Sequence, residues 1–86
     1  LAIEVKMRSS LPVYLSERDV EDLIKFSEQF GAEPYIAVKI KGLGWRFLKI
    51  EQLVKTKRGF KIDESNFHSA LDFDELMGLK QLRLSH

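Results

Sequence analysis

Apolar and polar positions alternate at two places along the chain, and each alternation predicts a β-strand. In residues 1–7 the larger apolar side chains lie on one face and the polar ones on the other. Residues 35–41 repeat the pattern, with Ile36, Val38 and Ile40 on one face. Because successive side chains of a strand point to opposite faces, the first segment is predicted to be a half-buried strand and the second a further strand.

Between the two strands lies the clearest helical pattern, from Ser16 to Gly31. Ser16 suits the N-cap position, Asp19 follows three residues later as in a capping box, and Gly31 suits the residue after the helix. The apolar positions inside it spread over an arc of roughly 160°, which is wider than one packed face needs. The surplus edge holds Phe26 and Phe30, and it would serve either as more core or as a dimer contact.

Two turns and a final helix complete the predicted elements. A Gly-Leu-Gly turn makes residues 35–50 a predicted β-hairpin. A Lys-Arg-Gly turn precedes a short strand over residues 60–62, and Asp72 suits the N-cap of a short last helix. Strand, helix, strand and hairpin in this order predict an α/β or α+β domain with a mixed sheet.

The composition indicates one small globular domain. A chain of 86 residues is long enough for one hydrophobic core and too short for two, so residues 1–86 are expected to form a single domain. The absence of cysteine excludes disulfides, thiolate zinc sites and cysteine nucleophiles, and it fits a cytoplasmic location. No apolar run approaches the roughly 20 residues of a membrane span, so no membrane association is expected.

Basic residues are concentrated in the middle of the chain. Residues 34–61 carry eight lysines and arginines and one acid, a balance of +7, whereas the whole chain has a net charge of +1. Such a block is a candidate surface for a polyanion, and a merely solvated hairpin is the alternative. Four side chains of this block and Arg8 near the start of the chain are expected to contact DNA phosphates without sequence preference; the four are Lys41, Arg46, Lys57 and Arg58.

Glu4 and Lys6 are the candidate catalytic pair. Two residues apart on a strand, they share a face and lie about 6.6–6.8 Å apart along the backbone. A carboxylate is a hard oxygen ligand suited to Mg²⁺, and a neighbouring ammonium can orient an attacking water or stabilise charge on a phosphate. The alternative is an ordinary polar strand face. Because one carboxylate makes a poor metal site, a second acid is expected upstream of Leu1.

The sequence around this pair resembles a known family. Ile3-Glu4-Val5-Lys6 is similar to the E-x-K half of the PD-(D/E)xK nuclease motif. Residues 19–34, DVEDLIKFSEQFGAEP, resemble the helix and turn of archaeal Holliday-junction resolvases of the Hjc type. Residues 36–39, IAVK, and residues 44–47, GWRF, follow in the order and spacing of that family.

The resemblance implies a fold, a reaction and a set of partners. The fold would be a restriction-endonuclease-like mixed sheet flanked by helices, of which this chain would be the C-terminal two-thirds, without the N-terminal helix and first strands. The family works as a homodimer that uses Mg²⁺, with Mn²⁺ as the expected substitute. It places paired nicks in opposing strands of four-way junction DNA.

The resemblance also assigns roles to residues. Glu4 would be a metal-binding carboxylate, Lys6 the catalytic lysine, and Lys39 a basic residue needed for activity near the DNA. Phe26 and Phe30 would form the apolar dimer surface. The family's N-terminal glutamate and arginines, and a metal-binding aspartate on the strand before Glu4, do not occur in this sequence and are expected upstream of it.

Two alternatives to a junction-resolving enzyme remain open at this point. One is a dimeric DNA-binding module that kept the fold and lost its chemistry. The other is a different nuclease of the PD-(D/E)xK fold, such as a restriction or repair enzyme. Junction binding without nicking would favour the first, and cutting of linear duplex would favour the second.

Overall fold

The structure is a computed structural model that describes the backbone of residues 1–84 and the side chains of residues 1–79. Residues 85 and 86 of the predicted domain lie outside the described residues. In chain order its elements are β1 (Ala2–Arg8), β2 (Val13–Ser16), α1 (Glu17–Phe30), β3 (Pro34–Ile40), β4 (Gly44–Leu48), a 3-10 turn (Ile50–Gln52), β5 (Val54–Lys55), β6 (Gly59–Ile62), α2 (Glu64–Ser69) and α3 (Phe73–Leu84).

Two three-stranded sheets organise the described chain. The first has the order β1-β3-β4, in which β1 and β3 are parallel and β3 and β4 form an antiparallel hairpin. The second has the order β2-β6-β5 and is antiparallel throughout. The predicted mixed sheet is therefore confirmed. The second sheet was not predicted, because β5 is only two residues long and carries no alternating pattern.

The first sheet has two unlike faces. We call the side packed against α1 the inner face, where Ile36 and Val38 join Val20 and Leu23 in the main core. The opposite side is the outer face, where Tyr35, Ala37 and Phe47 pack against Leu76 of α3. From Tyr35 to Ile40 the middle strand β3 is buried on both faces except at Lys39, which explains its high content of apolar residues.

Strand β1 departs from the expected pattern. A half-buried strand normally turns its apolar residues inward, yet Ile3, Val5 and Met7 are 42%, 52% and 58% exposed on the outer face. Glu4 and Lys6 point inward and are half-buried. The reason is register, because β1 pairs with β3 so that these two residues lie beside the α1-facing residues of β3.

Helix α1 begins and ends as its sequence predicts. The Ser16 hydroxyl accepts a hydrogen bond of 3.0 Å from the Asp19 backbone N–H, and Gly31 adopts the left-handed conformation at φ 63°. The last helix also has its predicted cap, since Asp72 and Glu75 exchange side-chain and backbone hydrogen bonds. Good caps satisfy backbone groups that would otherwise lack partners, so they locate helix ends reliably.

Gly59 joins the second sheet to the start of α1. Any Cβ at this position would overlap the Leu15 carbonyl oxygen of the paired strand β2. Only glycine therefore lets β6 approach so closely, and the approach places the β5–β6 hairpin beside the N-terminus of α1. Within residues 1–84, none of the helices combines the length and the apolar character needed to cross a bilayer.

Candidate active site and DNA interface

The structure brings Glu4 and Lys6 together on the inner face of β1. The Lys6 Nζ lies 4.0 Å from Glu4 Oε1, and the Lys6 side chain is only 18% exposed while that of Glu4 is 40% exposed. The aliphatic stem of the lysine is therefore packed under α1, whereas the Glu4 carboxylate keeps access to solvent. Such burial restrains the ammonium and leaves the carboxylate available to a ligand.

Asp19 joins this pair from the first turn of α1. Its Oδ2 accepts a hydrogen bond of 3.4 Å from Lys6 Nζ, so the ammonium lies within reach of two carboxylates. The sequence predicted Asp19 only as part of a capping box. Its backbone N–H does complete the cap, but its side chain turns to β1 instead. The sequence spacing does not predict the contact between Asp19 and Lys6, because it depends on how α1 packs on the sheet.

A cleft of about 370 Å³ opens beside these residues, between the start of β1 and α1. Glu4, Asp19 and Asp22 line it together with apolar residues of both elements. Among the described residues, no three acidic or histidine side chains lie close enough to hold a metal ion by themselves. Glu4 therefore stays the predicted metal ligand of β1, and a further acid upstream of Leu1 stays a prediction.

Lys39 lies apart from this pair. It is paired in register with Met7 and Trp45 on the outer face, and its Nζ sits 5.9 Å from the centroid of the Trp45 ring. The sheet itself separates it from Lys6. The structure thus places Lys39 on the exposed outer face, where a cation can reach a phosphate, and Lys6 on the inner face.

The basic residues expected to bind DNA fall into three places. Arg8 and Lys41 are neighbours at the end of β1 and β3, joined by a backbone hydrogen bond of 3.1 Å, and both are exposed. Lys57 and Arg58 are exposed in the β5–β6 turn. Arg46 is half-buried, because its guanidinium lies 5.3 Å from the centroid of the Phe67 ring and donates to the Trp45 carbonyl oxygen.

Three other lysines of the basic block are already engaged. Their ammonium groups pair with acids from other parts of the chain: Lys49 with Glu33 at 3.6 Å, Lys55 with Glu17 at 2.6 Å and Lys61 with Asp63 at 3.8 Å. By contrast, Arg8, Lys41, Lys57 and Arg58 have no ion pair with any described side chain. The +7 block of the sequence is therefore reduced to a few exposed cations at separate places.

Asp63 has a clearly perturbed proton affinity. Hydrogen bonds from the Ser65 hydroxyl and then from the Asn66 backbone N–H lower the pKa of Asp63 below its ordinary value of 3.8. Asp63 is the N-cap of α2, and the cap explains the shift because its hydrogen bonds favour the ionised carboxylate. The shift is structural and lies outside the candidate active site.

Phe26 and Phe30 form an apolar patch on α1 away from the core. Their rings are 4.8 Å apart between centroids, and the residues are 48% and 69% exposed. The wide apolar arc of the helix is thus not used up by the core of one chain. The sequence left two uses open for this patch, more core or a dimer contact, and the structure does not support the first.

Comparisons with known proteins agree on the family. Residues 1–84 match the profile of the archaeal Holliday junction resolvase (Hjc) family. The crossover junction endodeoxyribonuclease Hjc of Archaeoglobus fulgidus is 49% identical over 78 residues, which are 91% of this chain and 57% of that protein. The protein of the same description from Methanocaldococcus jannaschii is 38% identical over 85 residues, which are 98% of this chain and 63% of that protein.

The fold agrees as well. The solved structure of Archaeoglobus fulgidus Hjc, a Holliday junction resolvase from a hyperthermophile, superimposes with a TM-score of 0.84 at 47% identity. The match covers 88% of this chain and 62% of that structure, so the chain spans about three-fifths of the proteins it resembles. Because its profile match covers nearly every residue and the two relatives are 49% and 38% identical to it, the chain belongs to the archaeal Holliday junction resolvase (Hjc) family.

Proposed function

We propose that the protein containing this chain is a structure-selective DNA endonuclease that resolves four-way junctions by paired nicking. The observation that carries the proposal is the Glu4–Lys6 pair, held 4.0 Å apart in the position of an E-x-K motif on a strand of this family's fold. The names of the relatives, crossover junction endodeoxyribonucleases, support the same substrate. A cytoplasmic location accords with work on DNA and with a chain that lacks cysteine.

The implied metal fits Glu4 as one ligand. Mg²⁺ prefers oxygen ligands and commonly takes one or two protein carboxylates together with waters, and Glu4 is a carboxylate exposed to a cleft. Mn²⁺, which accepts similar ligands, is expected to substitute. When bound, the metal supplies Lewis-acid activation of water and neutralises charge on the scissile phosphate.

The protein's own side chains do the remaining work. Lys6 presents a restrained cation beside Glu4, where it stabilises negative charge that develops on the phosphate or orients the attacking water. The exposed cations Arg8 and Lys41, at the end of β1 and β3, would grip the phosphate backbone. Contacts to phosphates carry little sequence information, which suits an enzyme that recognises junction shape.

The proposed assembly is a homodimer. Phe26 and Phe30 offer the exposed aromatic patch that its interface would cover, and aromatic residues are common at the centre of interfaces. A two-fold dimer presents two identical active sites, which explains two symmetrically placed nicks.

The first test is a substitution that separates cutting from binding. Glu4→Ala, in the protein as its gene encodes it, is expected to abolish nicking of a four-way junction while leaving junction affinity in Ca²⁺ unchanged. The matched control is Glu21→Gln, which removes one negative charge from the solvent side of α1. Nicking that survives in Glu4→Ala would contradict the proposed active site.

The second test addresses the substrate. A labelled four-way junction is challenged with excess linear duplex of the same sequence, in Ca²⁺ to prevent cutting. Survival of the junction complex supports junction selectivity, whereas equal competition points to a general DNA-binding module. Cutting of the linear duplex in Mg²⁺ would indicate a different nuclease of the same fold.

A further inference from the structure

Lys6 is held between two acids rather than beside one. Its Nζ lies 3.4 Å from Asp19 Oδ2 and 4.0 Å from Glu4 Oε1, so the shorter of the two contacts is with the helix and not with its own strand. The Asp19 side chain is 42% exposed and borders the same cleft as Glu4. Asp19 is therefore placed to influence where the ammonium sits.

The backbone around Asp19 does not require its carboxylate. In the helix cap the Asp19 backbone N–H donates to the Ser16 hydroxyl, a bond that any residue except proline can make at position 19. A capping box would send the Asp19 side chain back to the Ser16 backbone N–H, but here the side chain meets Lys6 instead. The Asp19 carboxylate therefore takes no part in the helix cap and instead contacts Lys6 on β1.

The contact has a consequence for Glu4. A lysine ammonium is a compact charge on a long flexible stem, so without a second partner it would settle on the nearest carboxylate. Glu4 would then be neutralised by Lys6 and less available as a ligand. With Asp19 as the closer acceptor, Lys6 stays beside Glu4 without closing on it.

We infer that Asp19 is a positioning residue, which anchors the Lys6 ammonium at the edge of the cleft and keeps the Glu4 carboxylate open. The inference rests on the proposed function, because it takes Lys6 to act on the scissile phosphate. It adds a residue from α1 to a site that the sequence motif confines to β1.

The experiment compares single and double variants in the protein as its gene encodes it. The variants are Asp19→Asn, Asp19→Glu, Lys6→Met, the double variant Lys6→Met with Asp19→Asn, and the control Glu21→Gln. Glu21 lies on the same helix, is exposed and carries the same charge. For each, single-turnover nicking of a four-way junction is measured in Mg²⁺, junction affinity in Ca²⁺, and thermal unfolding without DNA.

Asp19→Asn is expected to slow nicking on the order of 10- to 100-fold, since misplacement of a catalytic group by an ångström has effects of this size. Junction affinity and the unfolding temperature should stay at wild-type values, and Glu21→Gln should cut normally. Asp19→Glu, which retains a carboxylate, should cut faster than Asp19→Asn. The double variant should be no slower than Lys6→Met alone, because Asp19 acts only through Lys6.

Three results would overturn the inference. One is normal cutting by Asp19→Asn, another is equal cutting by Asp19→Asn and Asp19→Glu, and the third is a double variant slower than Lys6→Met by the full factor of the single change. If Asp19→Asn is less stable, Asp19→Glu and the double variant still decide the matter, because a merely structural loss would add to that of Lys6→Met.

The same data separate this inference from the proposed function. A protein that does not nick junctions, or a Lys6→Met variant that nicks normally, contradicts the proposed function and removes the basis of the Asp19 role with it. Slow cutting by Lys6→Met together with normal cutting by Asp19→Asn contradicts the Asp19 role alone.

Discussion

The two faces of the first sheet differ in what covers them and in what chemistry they hold. The inner face lies under α1, and there the charged pair of Glu4 and Lys6 is half-buried. On the outer face Leu76 of α3 packs against β3 and β4, whereas Val5 and Lys39 are exposed. Lys6 on the inner face is restrained by packing and by two acids, whereas Lys39 on the outer face is exposed beside the Trp45 ring.

This difference shows that residues on strands paired side by side need not belong to the same site. Lys39 belongs to the strand next to β1, yet the sheet lies between it and Lys6. Its proposed part in activity is therefore to hold DNA, and that of Lys6 is to act on the phosphate. Each of the following predictions tests one consequence of this contrast.

The largest effect is expected when the two lysines are removed in turn. Lys6→Ala should lower single-turnover nicking at saturating protein by about 10²- to 10³-fold, the usual loss when one group that stabilises transition-state charge is deleted. Lys39→Ala should leave that rate near wild type and weaken junction binding, with the salt dependence of binding reduced by about one ion. Equal losses of the saturated rate would show that the sheet does not divide their roles.

The next effect concerns the stability of the 86-residue chain. Ile36→Ala removes a fully buried inner-face side chain and should lower the free energy of unfolding by about 2–5 kcal/mol. Val5→Ala, at an outer-face position 52% exposed, should change it by no more than about 0.5 kcal/mol. Denaturant unfolding of both variants makes the comparison, and a comparable cost for Val5→Ala would mean that the outer face is covered in solution.

A smaller effect is expected at the start of α1, which places Asp19 against the inner face. Ser16→Ala removes the hydroxyl that accepts from the Asp19 backbone N–H and should lower the free energy of unfolding by about 1 kcal/mol. Ser10→Ala, in the exposed loop before β2, is the matched control and should have almost no effect. If Ser16→Ala and Ser10→Ala lower the free energy of unfolding equally, the cap does not stabilise the helix.

Some of the features tested above can be predicted from the sequence, and others cannot. The caps at Ser16 and Asp72 and the hairpin after Tyr35 are predictable because each depends on residues within a few positions of one another. The exposure of Val5 and the contact from Asp19 to Lys6 are not, since both depend on how elements pack. The separation of Lys39 from Lys6 could not be predicted for the same reason, because it depends on how β1 pairs with β3.

The smallest expected effect is the pH dependence of stability that comes from Asp63, the N-cap of α2, which lies on neither face of the first sheet. The lowered pKa of Asp63 means that the unfolded state takes up its proton first as the pH falls, so the cap stabilises the fold fully above the ordinary value of 3.8. That contribution is lost as the pH drops through the lower pKa of the folded state. The difference in stability between the wild type and Asp63→Asn, measured by denaturant unfolding, should therefore shrink below this value. A difference that is constant across the range would assign the stabilisation to contacts independent of charge.

The sequence by itself determined the elements of the first sheet, helices α1 and α3, the family and the chemical types at the site. Alternation, helix caps and turns are local, and the E-x-K spacing puts Glu4 and Lys6 on one face of any strand. Tertiary structure alone decided which face is covered, which of the lysines and arginines of the basic block remain unpaired, and that Asp19 reaches Lys6. The physical reason is that periodicity sorts side chains into faces, whereas the partner of each face is set by packing between elements distant in the chain.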